Sequence, residues 1–487
     1  MLAYVVTDFV VPQSPADLAK ARAELFGGLP LWSAATWLPR PQTTLQLIVA
    51  IAPAALLAPT AYLAGLWWAR RPLPRAAAWV IAAFAVGFYA AYVLSLPTFS
   101  YDTYAYVLQS RVFTLHGANP YLTPPAAFAD DPDLRFADPD QMKLIVPYGP
   151  VWTYAAILCS YVAGGDIVRQ LLGFRLMLLG FGLANLALLW ALLGRLRPHQ
   201  RLAGLVFYAW SPIVALKGQE HSDTLTVFLL LLSLWLLTAG RDLPAVAVLT
   251  LSVLCKFITG PLLLVELLAL WRRRSAYAAL AAVGLAALIA VLAFLPVWTG
   301  PDLLLKLARD PTAAGRYDSL FTAGRLLATP GLLVLVAWAG LRRGGAVEDR
   351  PIGWTAVLLW FALFLMPSAY VSYLMPLVAT AALVDIAPIA FAVLALCGVT
   401  LLHELAYFAR PALRFPERLF EVSRVAAPAA LLLVGPTMLE RALSPSSRSS
   451  RSRARSSAGR RGTPRSSAGS RAARPPSGGS TAPGTRP

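Results

Sequence analysis

The chain has 487 residues, 58% hydrophobic and 14% charged. A water-soluble globular protein is about 45–50% apolar and about 25% charged, so the bulk of this chain is neither soluble, nor disordered, nor a disulfide-stapled secreted module. Its +18 formal charge is concentrated: Ser444 to Pro487 holds ten arginines and no acidic residue.

Residues 1–42 read as an N-terminal extension lacking the basic start and apolar core of a signal peptide, with 12–30 as an interfacial helix. A spanning helix needs about 20 mostly apolar residues. Apolar runs fall near 43–68, 76–96, 148–165, 169–193, 202–217, 222–240, 243–271, 276–297, 326–341, 352–367, 369–384, 386–405 and 425–441. Short arginine clusters separate them: Arg70, Arg71 and Arg75; Arg195, Arg197 and Arg201; Arg272 to Arg274; Arg342, Arg343 and Arg350. Such clusters mark cytoplasmic loops.

Placing every cluster on one side forces two adjustments. The acidic segment Pro97–Pro147 then lies outside, and Tyr148–Gly165 must be a helix on the external surface rather than a span. Leu243–Trp271 is too long for one span and is interrupted at Lys256-Phe257-Ile258-Thr259-Gly260-Pro261. As two short helices it puts Lys256 at an external tip, with the break enclosed by protein, because irregular backbone is not tolerated against lipid. The expected fold is an all-α polytopic membrane protein of about 13 transmembrane helices. Its transmembrane domain covers 43–443, and 97–168 forms a first external loop with its surface helix. Residues 444–487 read as a disordered Arg/Ser-rich tail on the cytoplasmic side. The tail lacks the interleaved aromatics of a single-strand platform, so no nucleic-acid partner is expected; the expected partner is the bilayer.

Three constellations carry chemistry. The first is Phe99-Ser-Tyr-Asp-Thr-Tyr-Ala-Tyr-Val, followed by Leu115-His-Gly-Ala-Asn-Pro-Tyr. Asp102 falls where a span leaves the membrane, a costly place for a carboxylate unless it is paired or used. Burial there would raise its pKa and suit it to take a proton from a hydroxyl; a helix cap is the plainer reading. The nearby tyrosines also fit an interfacial aromatic belt. The second is the turn Trp210–Asp223, which packs Lys217, Gln219, Glu220, His221 and Asp223 between two apolar runs. These groups could bind sugar hydroxyls; a zinc site is not supported, and a divalent cation remains open. The third is Lys256, one of five lysines against 37 arginines, a point charge suited to phosphate or to snorkelling. Tyr148-Gly-Pro-Val-Trp opens the surface helix, with Pro150 suited to its first position.

At these residues the chain resembles the GT-C superfamily of integral-membrane glycosyltransferases. It is most similar to the polyprenol-phosphate-mannose-dependent mannosyltransferases and glycosyltransferase family 87. The likeness rests on Ser-Tyr-Asp-Thr-Tyr-Ala-Tyr, His-Gly-Ala-Asn-Pro-Tyr, Tyr-Gly-Pro-Val-Trp, Glu-His-Ser-Asp and Leu-Cys-Lys-Phe, and covers roughly 76–300. It implies Asp102 as the catalytic group and Lys256, with Lys217, at the donor phosphate. It implies Tyr101, Tyr104, His116, Asn119, Tyr148, Glu220, His221 and Asp223 as substrate-binding residues. The implied partners are a polyprenyl-phosphate-linked sugar donor and a glycan or glycolipid acceptor, with the site on the extracytoplasmic face; no cofactor is expected, and a divalent cation is the one alternative the residues leave open. Ser222 stands where the family pattern has Asn, and Met366–Tyr373 lacks its usual Trp-Tyr pair. The competing class is a polytopic transporter or flippase, which would hold its ionisable residues near the membrane midplane.

Overall fold

Proline and small polar residues set where the helices begin. Pro150, Pro212, Pro261, Pro351 and Pro376 each occupy the first turn of a helix, where a missing N–H costs nothing. The computed structural model describes residues 44–74, 76–93, 102–137, 139–301, 303, 319–342, 347–365, 371–409, 423 and 425–430. The described residues belong to one compact unit, Met1–Pro436. The expectations for 1–42, for Tyr101 and for the 444–487 tail lie outside them.

Every regular element among the described residues is helical, as an all-α fold requires. In chain order these are α1 (Thr44–Ala69), α2 (Ala76–Val93), α3 (Asp102–Thr114), α4 (Pro150–Ala163), α5 (Ile167–Leu196), α6 (Arg201–Ala209), α7 (Pro212–Lys217) and α8 (Asp223–Thr238). They continue with α9 (Asp242–Cys255), α10 (Gly260–Arg273), α11 (Ala276–Phe294), α12 (Ser319–Leu341), α13 (Arg350–Trp360), α14 (Met375–Ala381) and α15 (Ala387–Ala409).

Two stretches among the described residues, Ile167–Leu196 and Ala276–Val297, are long and apolar enough to cross a membrane. Further apolar stretches, among them Ala76–Ala91, Asp223–Thr238, Asp242–Cys255 and Ala328–Leu341, run 10–17 residues, while α1, α12 and α15 are longer helices, so a count of about 13 spans does not read off helix length. Part of the reason is local. Ser211-Pro212 divides 202–217 into α6 and α7, and Lys256 adopts an extended conformation that divides 243–271 into α9 and α10. Outward faces stay apolar: Trp79, Phe84, Leu280, Val291 and Val334 are exposed, a surface suited to lipid rather than water.

Contacts fix the helix directions. Arg175, in the first third of α5, lies 3.5 Å from Glu220, just before α8. At the far end of α5, Arg195 donates to Thr238 Oγ1, closing α8, at 2.9 Å. So α5 and α8 run parallel, with α6 and α7 as the return. The α9–α10 pair is a hairpin, because Asp242 at its start is 3.3 Å from Arg273 and 3.0 Å from Arg274 at its finish. Arg197 reaches the Glu348 carbonyl, Arg342 pairs with Asp349, and Arg350 lies beside Glu266 of α10. Arg195 and Arg197, Arg273 and Arg274, and Arg342 and Arg350 therefore lie at one end of the bundle, while Asp102, Glu220, His221, Asp223 and Lys256 gather at the other. Between them lies an aliphatic core built on Leu189, Leu193, Val227, Leu230, Leu231 and Leu234.

Helix α4 forms over the stretch expected to lie on the external surface. It packs Trp152, Ala156 and Ile157 inward and exposes Leu158, Tyr161 and Val162. It ends at Gly164, whose φ of 80° is a left-handed conformation that side chains disfavour.

Candidate active site

The site is assembled around the 217–223 turn. The Glu220 and His221 amides donate to the Lys217 carbonyl at 3.1 and 3.2 Å, and Thr224 Oγ1 donates to the Gly218 carbonyl. Neighbouring helices hold the outside of this turn. Thr103 Oγ1 donates to the Glu220 carbonyl at 3.4 Å, and the Ser222 amide donates to Tyr106 Oη at 3.4 Å. Both anchors stand on the helix that Asp102 opens. Asn185 of α5 donates to the Thr224 carbonyl at 3.0 Å.

Three pairs of charged or ionisable groups meet there. Asp102 Oδ2 lies 3.0 Å from His221 Nδ1. Lys256 Nζ lies 2.6 Å from Asp223 Oδ2 and 3.6 Å from the centroid of the Tyr373 ring, a cation–π arrangement. Arg175 reaches Glu220 Oε1 at 3.5 Å and the Val93 carbonyl at 3.2 Å. Lys217 is buried, and its charge acts on both Asp102 and Glu220. The Asp102 side chain is 29% exposed against 9% for His221 and none for Asp223, so Asp102 is the carboxylate an incoming molecule would meet. His221 Nε2, Glu220 Oε2, Asp223 Oδ1, Ser222 Oγ and both amide atoms of Gln219 are buried without a hydrogen-bond partner among the described residues. Buried polar atoms in this condition are rare and point to a missing partner.

The electrostatics correct one expectation. Burial does push the Asp102 carboxyl up, but the hydrogen bond and charge of His221, with the charges of Lys256 and Lys217, outweigh it. Asp102 therefore titrates below its ordinary value and is ionised at neutral pH. It suits proton acceptance through availability and position rather than through a raised basicity. Glu220 goes the other way: burial pushes it up more than Arg175, Lys217 and His221 pull it down, and Asp102 pushes it further up.

Lys256 owes its place to Gly149. The Gly149 amide donates to the Cys255 carbonyl at 3.3 Å. A Cβ there would lie 2.0 Å from the Leu254 carbonyl oxygen. Only glycine lets the start of α4 press against the end of α9. Tyr148 stacks edge-on against Tyr106 at 5.2 Å, and its carbonyl accepts from Tyr121 Oη at 2.8 Å.

Of the residues singled out in the sequence, Asp102, Lys217, Glu220, His221, Asp223 and Lys256 come together, with Tyr148 touching them through Tyr106. Tyr104 is fully buried in the α3–α4–α5 core. His116 and Asn119 make other contacts. His116 stacks on Phe128 at 3.9 Å and lies 3.6 Å from Asp131, which is itself held by Arg111. Asn119 bonds the Val297 carbonyl and the Tyr121 amide; both order the loop. Arg175, Tyr106 and Tyr373 were not singled out as site residues. Arg175 carried a signal, being an arginine inside an apolar run, but it lies close to runs whose arginines mark loops. Among the described residues no three His, Cys, Asp or Glu side chains are grouped to hold a metal ion. Asp223 and Glu220 face Lys256 and Arg175 instead.

These features define a helical protein with lipid-compatible walls and a cluster of ionisable groups enclosed at one end of its bundle. Residues 23–273, just over half the chain, match the family model described as "Alpha-(1->6)-mannopyranosyltransferase, N-terminal domain". The chain belongs to that family, in agreement with its resemblance to the GT-C mannosyltransferases. It is 30% identical over 216 residues to alpha-(1->6)-mannopyranosyltransferase A of Mycobacterium tuberculosis. That match spans 42% of this chain and 40% of the relative. Asp102, Arg175, the 217–223 turn and Lys256 all fall within the family match; Tyr373 lies beyond it.

Proposed function

We propose that this protein is a mannosyltransferase that moves mannose from a polyprenyl-phosphate-linked donor to a glycan or glycolipid hydroxyl. The observation that carries the reading is the partly exposed Asp102–His221 pair, 3.0 Å apart, gathered with Lys256 around one turn. Asp102 takes the proton from the acceptor hydroxyl as its oxygen bonds to the anomeric carbon. The bond from that carbon to the phosphate oxygen breaks, and polyprenyl phosphate leaves with the electron pair. His221 holds the Asp102 carboxylate in place through the transfer. Lys256 and Lys217 stabilise the leaving phosphate, the kind of preorganised electrostatic term that dominates such reactions. A single displacement on a β-linked donor gives an α-linkage, in keeping with the relative's name.

The site faces the extracytoplasmic side in this reading, because Arg195, Arg197, Arg273, Arg274, Arg342 and Arg350 lie at the opposite end and such arginines favour the cytoplasm. The family match and the position of the ionisable groups at helix ends favour a transferase over a transporter. The test is release of polyprenyl phosphate from polyprenyl-phosphate-mannose by purified protein. Asp102→Asn should lower release by about 10²–10⁴-fold, the usual contribution of a general base. Near-wild-type release by that variant would overturn the mechanism.

A further inference from the structure

Arg175 sits under the site, not in it. Its side chain is 3% exposed and lies in a 30-residue helix whose next nine residues, Leu176 to Ala184, are all apolar or glycine. An ionised group so placed is expensive and is retained for a reason. Its two ends hold different parts of the chain. Nη1 donates to the carbonyl of Val93, the last residue of α2, from which the chain proceeds to Asp102. Nη2 faces Glu220 Oε1, next to His221. The planar guanidinium therefore ties the end of α2 to the turn that carries His221, and that turn is itself bonded to the helix that Asp102 opens, through Thr103 and Tyr106. A lysine could supply the charge but not the fork, since its three donors share one nitrogen at the end of a flexible stem.

We propose that Arg175 is a positioning residue: it sets the separation of Asp102 and His221 by bridging the end of α2 to the 217–223 turn. This rests on the mannosyl-transfer reading for its kinetic readout. A displacement of about 1 Å in reacting groups is worth about 100-fold in rate, so loss of the bridge should reduce turnover by about 10- to 100-fold.

Three variants separate bridging from charge compensation: Arg175→Lys, Arg175→Gln, and Arg175→Gln combined with Glu220→Gln. The double variant removes the uncompensated carboxylate, so it guards against simple misfolding. Turnover is counted per donor-binding site, which removes any unfolded fraction. Arg175→Lys is expected to unfold at a temperature near wild type and to turn over about 10- to 100-fold more slowly than wild type, and the double variant to turn over about 10- to 100-fold more slowly than Glu220→Gln alone. Amide hydrogen exchange should rise at 102–106 and 217–223 in both. Turnover and exchange in the double variant equal to those of Glu220→Gln alone would overturn the proposal, leaving Arg175 a mere counter-charge. A wild-type protein inert toward the donor would instead sink the reaction assignment, and the exchange measurement would still decide whether Arg175 bridges the two segments.

Discussion

Gly149→Ala tests the link between packing and chemistry most directly. The added Cβ would lie 2.0 Å from the Leu254 carbonyl oxygen, 2.6 Å from its carbon and 3.3 Å from its Cα, all backbone atoms that no rotamer change can move. Contacts below 3.0 Å essentially never occur for a real Cβ, so α4 and α9 must part by at least about 1 Å. Overpacking of this kind costs about 1–3 kcal/mol. The Gly149–Cys255 hydrogen bond, already 3.3 Å long, adds about 0.5–1.5 kcal/mol when lost. Together the substitution should destabilise the protein by about 1.5–4.5 kcal/mol. The displaced segment carries Lys256, the next residue after Cys255, so donor turnover should fall by about 100-fold even in the folded fraction. Thermal unfolding in detergent and release of polyprenyl phosphate measure the two effects. An alanine variant with wild-type melting temperature and turnover would refute the claim that this contact sets the position of Lys256.

Other expectations follow from the buried charges. Lys256→Met leaves the fully buried Asp223 without its cation and should cost about 3–5 kcal/mol; adding Asp223→Asn should restore most of the stability but not donor binding, measured as KM. Burial pushes Glu220 above its ordinary value of 4.5, so the folded state keeps a proton that the unfolded chain has already released. That contribution is complete below pH 4.5 and is lost as pH rises through the folded value. The melting temperature of wild type should thus decline relative to Glu220→Gln over that upward sweep, and parallel curves would exclude it. Arg111 holds Asp131 at 3.1 Å and Asp133 at 2.7 Å from a buried position. Arg111→Ala should cost about 3–5 kcal/mol and raise hydrogen exchange across 115–137.

The break in the α9–α10 hairpin was legible because 29 residues of apolar sequence interrupted by Lys-Phe-Ile-Thr-Gly-Pro fit no single span. Asp102, the 217–223 turn and Lys256 were legible because acidic residues and lysine are scarce in so apolar a chain. His116 and Asn119 belong to the same motif as Asp102 in sequence, yet the loop uses them for its own folding; nearness along the chain is not nearness in space. Arg175 was hidden because its partners are separated from it by 45 and 82 positions, and no local pattern encodes such a bridge. The direction of the Asp102 shift also depended on three residues distant in sequence, so burial alone gave the wrong sign.

The Lys256–Asp223 pair bears on which form of donor this site accepts. A buried cation partly offset by a carboxylate at 2.6 Å pulls less on phosphates dissolved in the surrounding water than on one brought into contact with it. Inorganic phosphate and sugar nucleotides should therefore compete poorly, despite carrying the same chemical group. A phosphate attached to a long hydrocarbon chain arrives by another route, because partitioning into the bilayer concentrates it in two dimensions beside the helices. On the proposed reaction, selectivity for a membrane-borne sugar arises less from attraction at the site than from the restraint with which Asp223 quiets it.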